Sequence, residues 1–209
     1  VKTAGPAGGQ VNVAQSATPT ASYTSGWESV AALNDGREPA SSSDAPRWGS
    51  WPQKDTQWVQ YTWDDPVRVD GSDMYFFRDA QPGADDGVGV PASWVIEYRD
   101  GDTWREVASP SGYGTDEDRY NRTTFEPVTT TAVRARLTGH ANLALGVQEW
   151  KVYAEPPESV REVHVPTLRG TVPRLPGQVT LVYADGSTVR SPVAWPAVTE
   201  EQVAQGGTS

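Results

Sequence analysis

The sequence predicts an all-β protein, and three observations support this. Apolar residues alternate with polar ones at every second position, as in Val59, Tyr61 and Trp63, which is the spacing of a half-buried strand. The pair Asp100-Gly101 separates two alternating segments, which predicts a β-hairpin over residues 94–107. No apolar pattern of helical period extends beyond two turns. We therefore expect an antiparallel β-sandwich or jelly roll followed by a smaller β domain.

The elements of the first domain follow from these patterns in chain order. Residues 1–10 are rich in Gly, Ala and Pro without periodicity and predict a linker or tail. The first domain is expected over residues 11–155, because the prolines of Glu155-Pro156-Pro157 cannot continue a strand ladder. Its strands are predicted at residues 17–23, 58–63, 68–77, 94–107 as a hairpin, 122–126, 131–138 and 147–153.

The second domain is expected over residues 156–209. Alternating segments at 160–165, 178–183 and 187–193 predict three strands, with Asp185-Gly186 in the turn between the last two. Two alternatives stay open, a complete small domain and one that is cut short before its final strands.

Composition excludes several functional classes. The 209 residues carry 17 Lys and Arg against 27 Asp and Glu, a net charge of −10, which disfavours nucleic acid and anionic membranes as partners. Cysteine is absent, which removes thiolate catalysis and zinc–thiolate sites, and two histidines are too few for most histidine-based sites. Nine tryptophans against three phenylalanines suit a polar surface with flat aromatic faces, as sugar binding requires.

Four motifs in order carry a resemblance for the first domain: Ala31-Ala32-Leu33-Asn34-Asp35-Gly36, Gln57-Trp58-Val59-Gln60-Tyr61-Thr62-Trp63, Trp94 through Asp100-Gly101 to Trp104, and Gln148-Glu149-Trp150-Lys151-Val152-Tyr153. Through them residues 11–153 resemble the discoidin fold, also called the coagulation factor V/VIII (F5/8) C-type domain and carbohydrate-binding module family 32. The second domain resembles a bacterial Ig-like domain of group 4, on Gly170, Pro173, Leu175-Pro176 and Asp185-Gly186. This implies an Ig-like β-sandwich that acts as a spacer.

The discoidin resemblance implies one structural calcium ion. The family's two carboxylates fall on Asp35 and Glu149, and hard oxygen ligands in irregular loops are what calcium requires. The resemblance adds main-chain oxygens of Ala32, Arg37 and Gln148 and an oxygen of Ser42. The alternative is an Asx-turn at Asp35 and an exposed Glu149.

Sugar binding needs an aromatic face surrounded by planar polar groups. Candidates at predicted strand ends are Trp27, Glu28, Trp48, Trp51, Arg78, Asp79, Tyr113 and Asn121. Trp51 is favoured as the stacking face, with packing over the sandwich edge as its alternative. The tryptophans inside strands are expected in the core or on a sheet face, namely Trp58, Trp63, Trp94, Trp104 and Trp150.

The two resemblances together imply non-catalytic carbohydrate binding by an accessory module of a secreted or cell-surface polysaccharide-degrading enzyme. The expected partners are a sugar, such as an arabinose- or galactose-containing plant polysaccharide, and an adjacent catalytic domain. The acidic clusters Asp64-Asp65, Asp85-Asp86 and Asp116-Glu117-Asp118 do not show the opposed carboxylates that a glycosidase needs. The alternatives are a structural module that buttresses a catalytic domain, and a cell-surface adhesion module.

Overall fold

The computed structural model describes residues 11–81, 86–168, 170–199 and 203. The predicted linker at 1–10, Asp85 and most of the last ten residues lie outside this range. The chain divides into two compact units, Val1–Pro156 and Pro157–Ser209. Each is described by itself.

Unit 1 contains nine strands and two short 3-10 helices at Ala14–Ser16 and Val30–Asn34. The strands are β1 (Val11–Asn12), β2 (Thr18–Ala21), β3 (Trp48–Gly49), β4 (Thr56–Phe76), β5 (Val88–Gly89), β6 (Ser93–Asp100), β7 (Thr103–Glu106), β8 (Tyr120–Thr138) and β9 (Ala144–Ala154). The main sheet has the order β1-β9-β4-β8-β6-β7, with β2 on β4 and β3 on β9. All pairs are antiparallel except β5 with β9. The all-β jelly-roll prediction is confirmed.

Two predicted breaks are bulges rather than turns. Residues 58–63 and 68–77 were expected as separate strands but form the single strand β4, whose register against β8 shifts between Thr62 and Val67. Pro66 falls within that shift, where the missing N–H disrupts no ladder bond. β8 likewise joins two predicted strands. These long, bent strands let the sheet curl around one core.

The predicted hairpin over 94–107 is present. Asp100 pairs with Thr103, so Gly101 and Asp102 form a two-residue loop. Gly101 has φ +58°, which suits a glycine at the first loop position.

The core of unit 1 is aromatic. Trp63, Trp94 and Trp150 are buried as predicted, while Trp58 and Trp104 are half-buried on sheet faces. Tyr61 stacks on Trp150 with ring centroids 4.4 Å apart. The Tyr61 hydroxyl lies 2.6 Å from the Leu33 carbonyl oxygen and 2.8 Å from that of Trp150, and so ties the second 3-10 helix to β9.

Unit 2 has a three-stranded antiparallel sheet in the order β10 (Ser159–Val160), β11 (Gln178–Val182) and β12 (Thr188–Pro192). Gly186, with φ +79°, lies in the turn between β11 and β12. Among its described residues, Tyr183 and Val189 are the buried apolar ones. The predicted strand at 160–165 is shorter, because only Ser159 and Val160 pair with β11.

No helix among the described residues is long and apolar enough to cross a bilayer.

Candidate functional site

A pocket of about 310 Å³ opens where loops of unit 1 meet the first residues of β9. Ser50 donates its amide to the Leu145 carbonyl, and Ala144 donates to Gly87, so both neighbouring loops are fixed to β9. The pocket is lined by Ser25, Trp27, Glu28, Arg47, Trp51, Asp79, Gly87 and Val88. Four of these, Trp27, Glu28, Trp51 and Asp79, were predicted from the sequence as sugar-binding residues.

Trp27 is the open aromatic of the pocket, with 83% of its surface exposed. It lies in a tight turn in which the Ser25 amide donates to Gly49 and the Glu28 amide donates to Ser25. The turn therefore fixes the backbone on both sides of Trp27 and leaves the indole in solvent. The exposed indole offers a flat apolar face on which the C–H side of a ligand ring could stack.

Arg47 connects the polar residues of the pocket, and the sequence reasoning missed it. Its Nε donates to Glu28 Oε1 at 3.2 Å, its second terminal nitrogen donates to Asp79 Oδ2 at 3.2 Å, and its first donates to the Ser42 carbonyl at 2.8 Å. The guanidinium also lies 4.2 Å from the centre of the Phe77 ring. The group is therefore held in one orientation by three hydrogen bonds and a cation–π contact.

The two carboxylates of the pocket differ in environment. Burial raises the pKa of Glu28, and the adjacent Arg47 partly offsets this. The Asp79 side chain is 41% exposed, and its Oδ1 accepts the Val88 amide at 2.8 Å. Both acids are preorganised acceptors at the pocket wall.

Trp51 also lines the pocket but is half-buried. Its ring packs against the cluster of Phe77, Val88 and Ala144, with the Lys54 ammonium 5.4 Å from its centre. Trp51 thus forms a wall, while Trp27 is the more open face.

The structure assigns the other predicted sugar ligands to packing. Trp48 is fully buried, because β3 pairs with β9, and its indole N–H donates to the Tyr23 carbonyl at 3.0 Å. Its prediction as a stacking face is wrong. Tyr113 packs on Trp94, and its hydroxyl accepts the Ile96 amide at 3.2 Å, so it too has a structural role.

Asn121 and Arg78 are likewise absent from the pocket. Asn121 is 5% exposed, and its side-chain amide donates to the carbonyls of Met74, Asp116 and Arg119. It is a structural residue rather than a ligand. Arg78 pairs with Glu117 at 2.8 Å, outside the pocket lining.

A second polar site, the cation cradle, is formed by Asp35, Gln148 and Glu149. Glu149 is 1% exposed, and neither of its carboxylate oxygens has a hydrogen-bond partner among the described residues. Gln148 Oε1 is also buried and without a partner. Burial, followed by the charge of Asp35, raises the pKa of Glu149 to about 8, while Lys151 and the nearby Gly36 amide act in the opposite direction. Glu149 is thus not the exposed residue that the alternative reading expected.

The local structure explains why these groups meet. The register of β4 against β9 passes from Tyr75–Glu149 to Phe76–Val147, so Gln148 is the extra residue of a β-bulge. Gly36, after Asp35, has φ +79°, and a side chain there would lie 2.1 Å from the Gln15 amide nitrogen. The positive φ favours glycine at this position.

The cradle fits a hard cation, since it brings buried oxygens without partners next to a second carboxylate. Asp35 Oδ1 accepts the Arg37 amide at 2.9 Å, so the Asx-turn is present and leaves lone pairs on both carboxylate oxygens. Within the described ranges no cluster of three His, Cys, Asp or Glu side chains occurs, so main-chain oxygens would complete the site. Those of Ala32, Arg37 and Gln148 remain predictions.

Ser42 has a different role from the predicted one. Its hydroxyl donates to Asp118 at 2.6 Å and accepts the Arg78 amide at 3.1 Å, and its carbonyl accepts Arg47. It joins three loops rather than offering a free oxygen to the cradle.

Comparison with protein families gives two matches. The sequence model of the F5/8 type C domain matches residues 13–152. The model of the bacterial Ig-like domain (group 4) matches residues 141–209, a range that begins just before β9 of unit 1.

Solved structures with the same fold cover the first domain. A structure of Streptococcus pneumoniae β-galactosidase BgaA is 22% identical, with a TM-score of 0.59, and the match covers 66% of this chain and 92% of that one. Chitosan-binding module 1 of a Paenibacillus sp. IK-5 chitosanase/glucanase is 21% identical, at TM-score 0.52, covering 69% and 99%. The family 32 carbohydrate-binding module of Clostridium perfringens NanJ, in complex with galactose, is 13% identical, at TM-score 0.52, covering 69% and 98%.

Proposed function

The chain belongs to the F5/8 type C domain family, and from this premise we propose that unit 1 is a non-catalytic carbohydrate-binding module. The sugar binds in the pocket of Trp27, Glu28, Arg47 and Asp79. The observation that carries the proposal is the exposure of Trp27 directly beside a rigid set of charged hydrogen-bonding groups.

The chemistry of the pocket suits a sugar ring. The C–H face of a pyranose or furanose stacks on an indole, and its hydroxyls bond to carboxylate oxygens in a fixed geometry. Because Arg47 already orients Glu28 and Asp79, little side-chain entropy is lost on binding. The pocket takes one or two sugar units, and the small buried area limits the Kd to roughly 10⁻⁵–10⁻³ M.

The known ligands of two structural neighbours support this context. NanJ's module is in complex with galactose, and the Paenibacillus module is named for chitosan and comes from a chitosanase/glucanase. We propose that this chain is the accessory region of a secreted or cell-surface polysaccharide-degrading enzyme that acts on arabinose- or galactose-containing polysaccharide. Unit 2, which matches the Ig-like model, serves as the spacer toward the catalytic domain.

The cation cradle is proposed to hold a structural Ca²⁺. Glu149 and Asp35 supply the carboxylates and the bulged Gln148 contributes oxygen, as the unpartnered buried atoms suggest. A bound divalent cation compensates the buried charge and joins the second 3-10 helix to β9.

The test is affinity electrophoresis and a glycan array with arabinans, galactans, chitosan and mammalian-type glycans, in calcium. The wild-type protein is compared with Trp27→Ala, Trp51→Ala and, as a matched control, Trp104→Ala, which lies on β7 outside the pocket. We expect Trp27→Ala to lower affinity at least about tenfold while thermal unfolding is unchanged. Trp51→Ala is expected to lower both affinity and stability, because Trp51 also packs on Phe77.

A glycan class that wild type and Trp104→Ala retain and Trp27→Ala loses supports the binding module. A blank across the array with a folded protein supports the structural-module alternative instead. Binding that survives both Trp27→Ala and Trp51→Ala would place the sugar elsewhere.

A further inference from the structure

We infer that the pocket rejects anionic sugars, namely uronic acids and sulfated sugars. This inference rests on the proposed function, since it concerns the ligand class of the same pocket. It follows from the charges that line the pocket and from the hydrogen bonds that these groups already make.

The pocket has a net negative charge. Among the lining residues that the structure describes, Glu28 and Asp79 carry one negative charge each and Arg47 carries the single positive charge, which leaves −1. An anionic sugar would therefore approach a like charge in a partly desolvated site.

The one cation of the lining is not free to compensate. The Nε of Arg47 donates to Glu28, one terminal nitrogen donates to Asp79 and the other donates to the Ser42 carbonyl. Only 21% of the side chain is exposed. Recruiting Arg47 to a sugar carboxylate would break a carboxylate contact and leave Glu28 or Asp79 uncompensated.

Nearby cations are paired too. The Lys54 ammonium, beside Trp51, pairs with Asp86 at 3.3 Å. Arg78, next to Asp79 in the chain, pairs with Glu117 at 2.8 Å. Neither is a spare positive charge for a uronate among the residues that the structure describes.

Hydrogen-bond polarity leads to the same conclusion. Ionised carboxylates accept hydrogen bonds and donate none, so the ligand must bring O–H donors to Glu28 and Asp79. A CH₂OH group supplies a donor, whereas the COO⁻ group that replaces it in a uronic acid does not. The pocket thus matches the hydroxyls of a neutral sugar.

The test uses pairs of methyl glycosides that differ only at C6: galactose with galacturonic acid, glucose with glucuronic acid and mannose with mannuronic acid. Methyl arabinofuranoside is added as a neutral sugar without a pair. Binding is followed by NMR titration of the indole N–H signals in the presence of calcium, with the Trp27 signal assigned from Trp27→Ala. We expect at least one neutral sugar to bind and its uronate partner to bind at least tenfold more weakly at low salt. The ratio of neutral-sugar affinity to uronate affinity should decrease as added salt screens the charges.

Asp79→Asn separates pocket charge from pocket shape, because asparagine keeps an acceptor for the Val88 amide while the pocket becomes neutral. We expect this variant to lower the ratio of neutral-sugar affinity to uronate affinity at least threefold. Asp102→Asn is the matched control: it removes the same charge from the fully exposed β6–β7 turn and should leave the ratio unchanged.

Equal or tighter binding of the uronate, or a ratio that salt and Asp79→Asn do not alter, overturns the inference while leaving the binding module intact. If no glycoside shifts any indole signal and the glycan array is also blank, the proposed function fails and the inference fails with it.

Discussion

The pocket and the cation cradle lie along the same strand, but they treat buried charge in opposite ways. In the pocket, Glu28 and Asp79 both accept hydrogen bonds from Arg47, and the exposed group is an apolar ring. In the cradle, Glu149 is buried with both oxygens unpartnered, beside a second carboxylate. The charged groups of the pocket are hydrogen-bonded to one another without a ligand. The buried negative charge of the cradle, in contrast, is balanced only when a cation binds.

This difference predicts two kinds of binding. A site whose groups are already satisfied gains little from its ligand, so binding is weak and exchangeable and has little effect on stability. A site that buries uncompensated charge gains folding free energy from its ligand. The predictions below test this contrast, beginning with the largest effect.

Removal of Arg47 should disrupt the pocket most strongly. Arg47→Ala leaves Glu28, whose side chain is 13% exposed, without its cation, and we expect the free energy of unfolding to fall by about 3 kcal/mol. Arg78→Ala is the control, since its partner Glu117 is 49% exposed and the pair is worth under about 1 kcal/mol. Chemical denaturation measures the free energy of unfolding of both variants. Equal losses in Arg47→Ala and Arg78→Ala would contradict this prediction.

Calcium should stabilise the wild-type protein through the cradle. At a free concentration of about 100 times Kd, the free energy of unfolding should rise by about 2.7 kcal/mol, and Tm by roughly 5–10 °C, relative to a chelator. Magnesium should do less, because it is smaller and gives up its water reluctantly. If millimolar calcium leaves the Tm unchanged, the cation cradle does not bind calcium.

In the absence of calcium, Glu149→Gln should stabilise the folded protein rather than destabilise it. At pH 9, above the raised pKa of about 8, the substitution removes an unpaired buried charge. In chelator it should therefore increase the free energy of unfolding by about 1–2 kcal/mol. The same variant should lose the calcium-dependent rise in Tm. Destabilisation in chelator would show that Glu149 has a partner in solution.

The smallest expected effect links the two sites. The Gln148 side-chain amide donates to the carbonyls of Ser41 and Asp44, at 2.8 and 2.9 Å, and the Ser42 carbonyl holds Arg47. A cation that fixes Gln148 should therefore improve sugar affinity about threefold. Titration of one neutral glycoside in calcium and in chelator measures it, and Glu149→Gln should show no difference.

The sequence predicted the features that depend on local chemistry. The 94–107 hairpin needs only an alternating pattern and a glycine at the turn, and Asp35-Gly36 needs only a residue that tolerates a positive φ. Trp48 and Trp51, three residues apart, carry no local signal that separates them. Trp48 is buried because β3 pairs with Val147 and Gly146, about 100 residues along the chain.

Arg47 and Asn121 were misjudged for the same reason. The roles of both depend on partners that the chain brings together only on folding, such as Glu28 and Asp79 for Arg47 and Met74 for Asn121. In the sequence, Arg47 is recognisable as an isolated positive charge between Pro46 and Trp48, which does not reveal its partners. Asn121 was expected at the end of a predicted strand and free to bind a ligand, but its side-chain amide donates to three carbonyls.

Strand β9 also sets how unit 1 is tethered. β1 pairs with its last residues, Val11 with Ala154, while the pocket loops attach at its first residues, Ala144 to Gly146. The two chain ends of the folded unit therefore leave together, about 30 Å from the pocket along the strand. The pocket loops and the two chain ends of the described part of unit 1 are therefore attached at opposite ends of one strand.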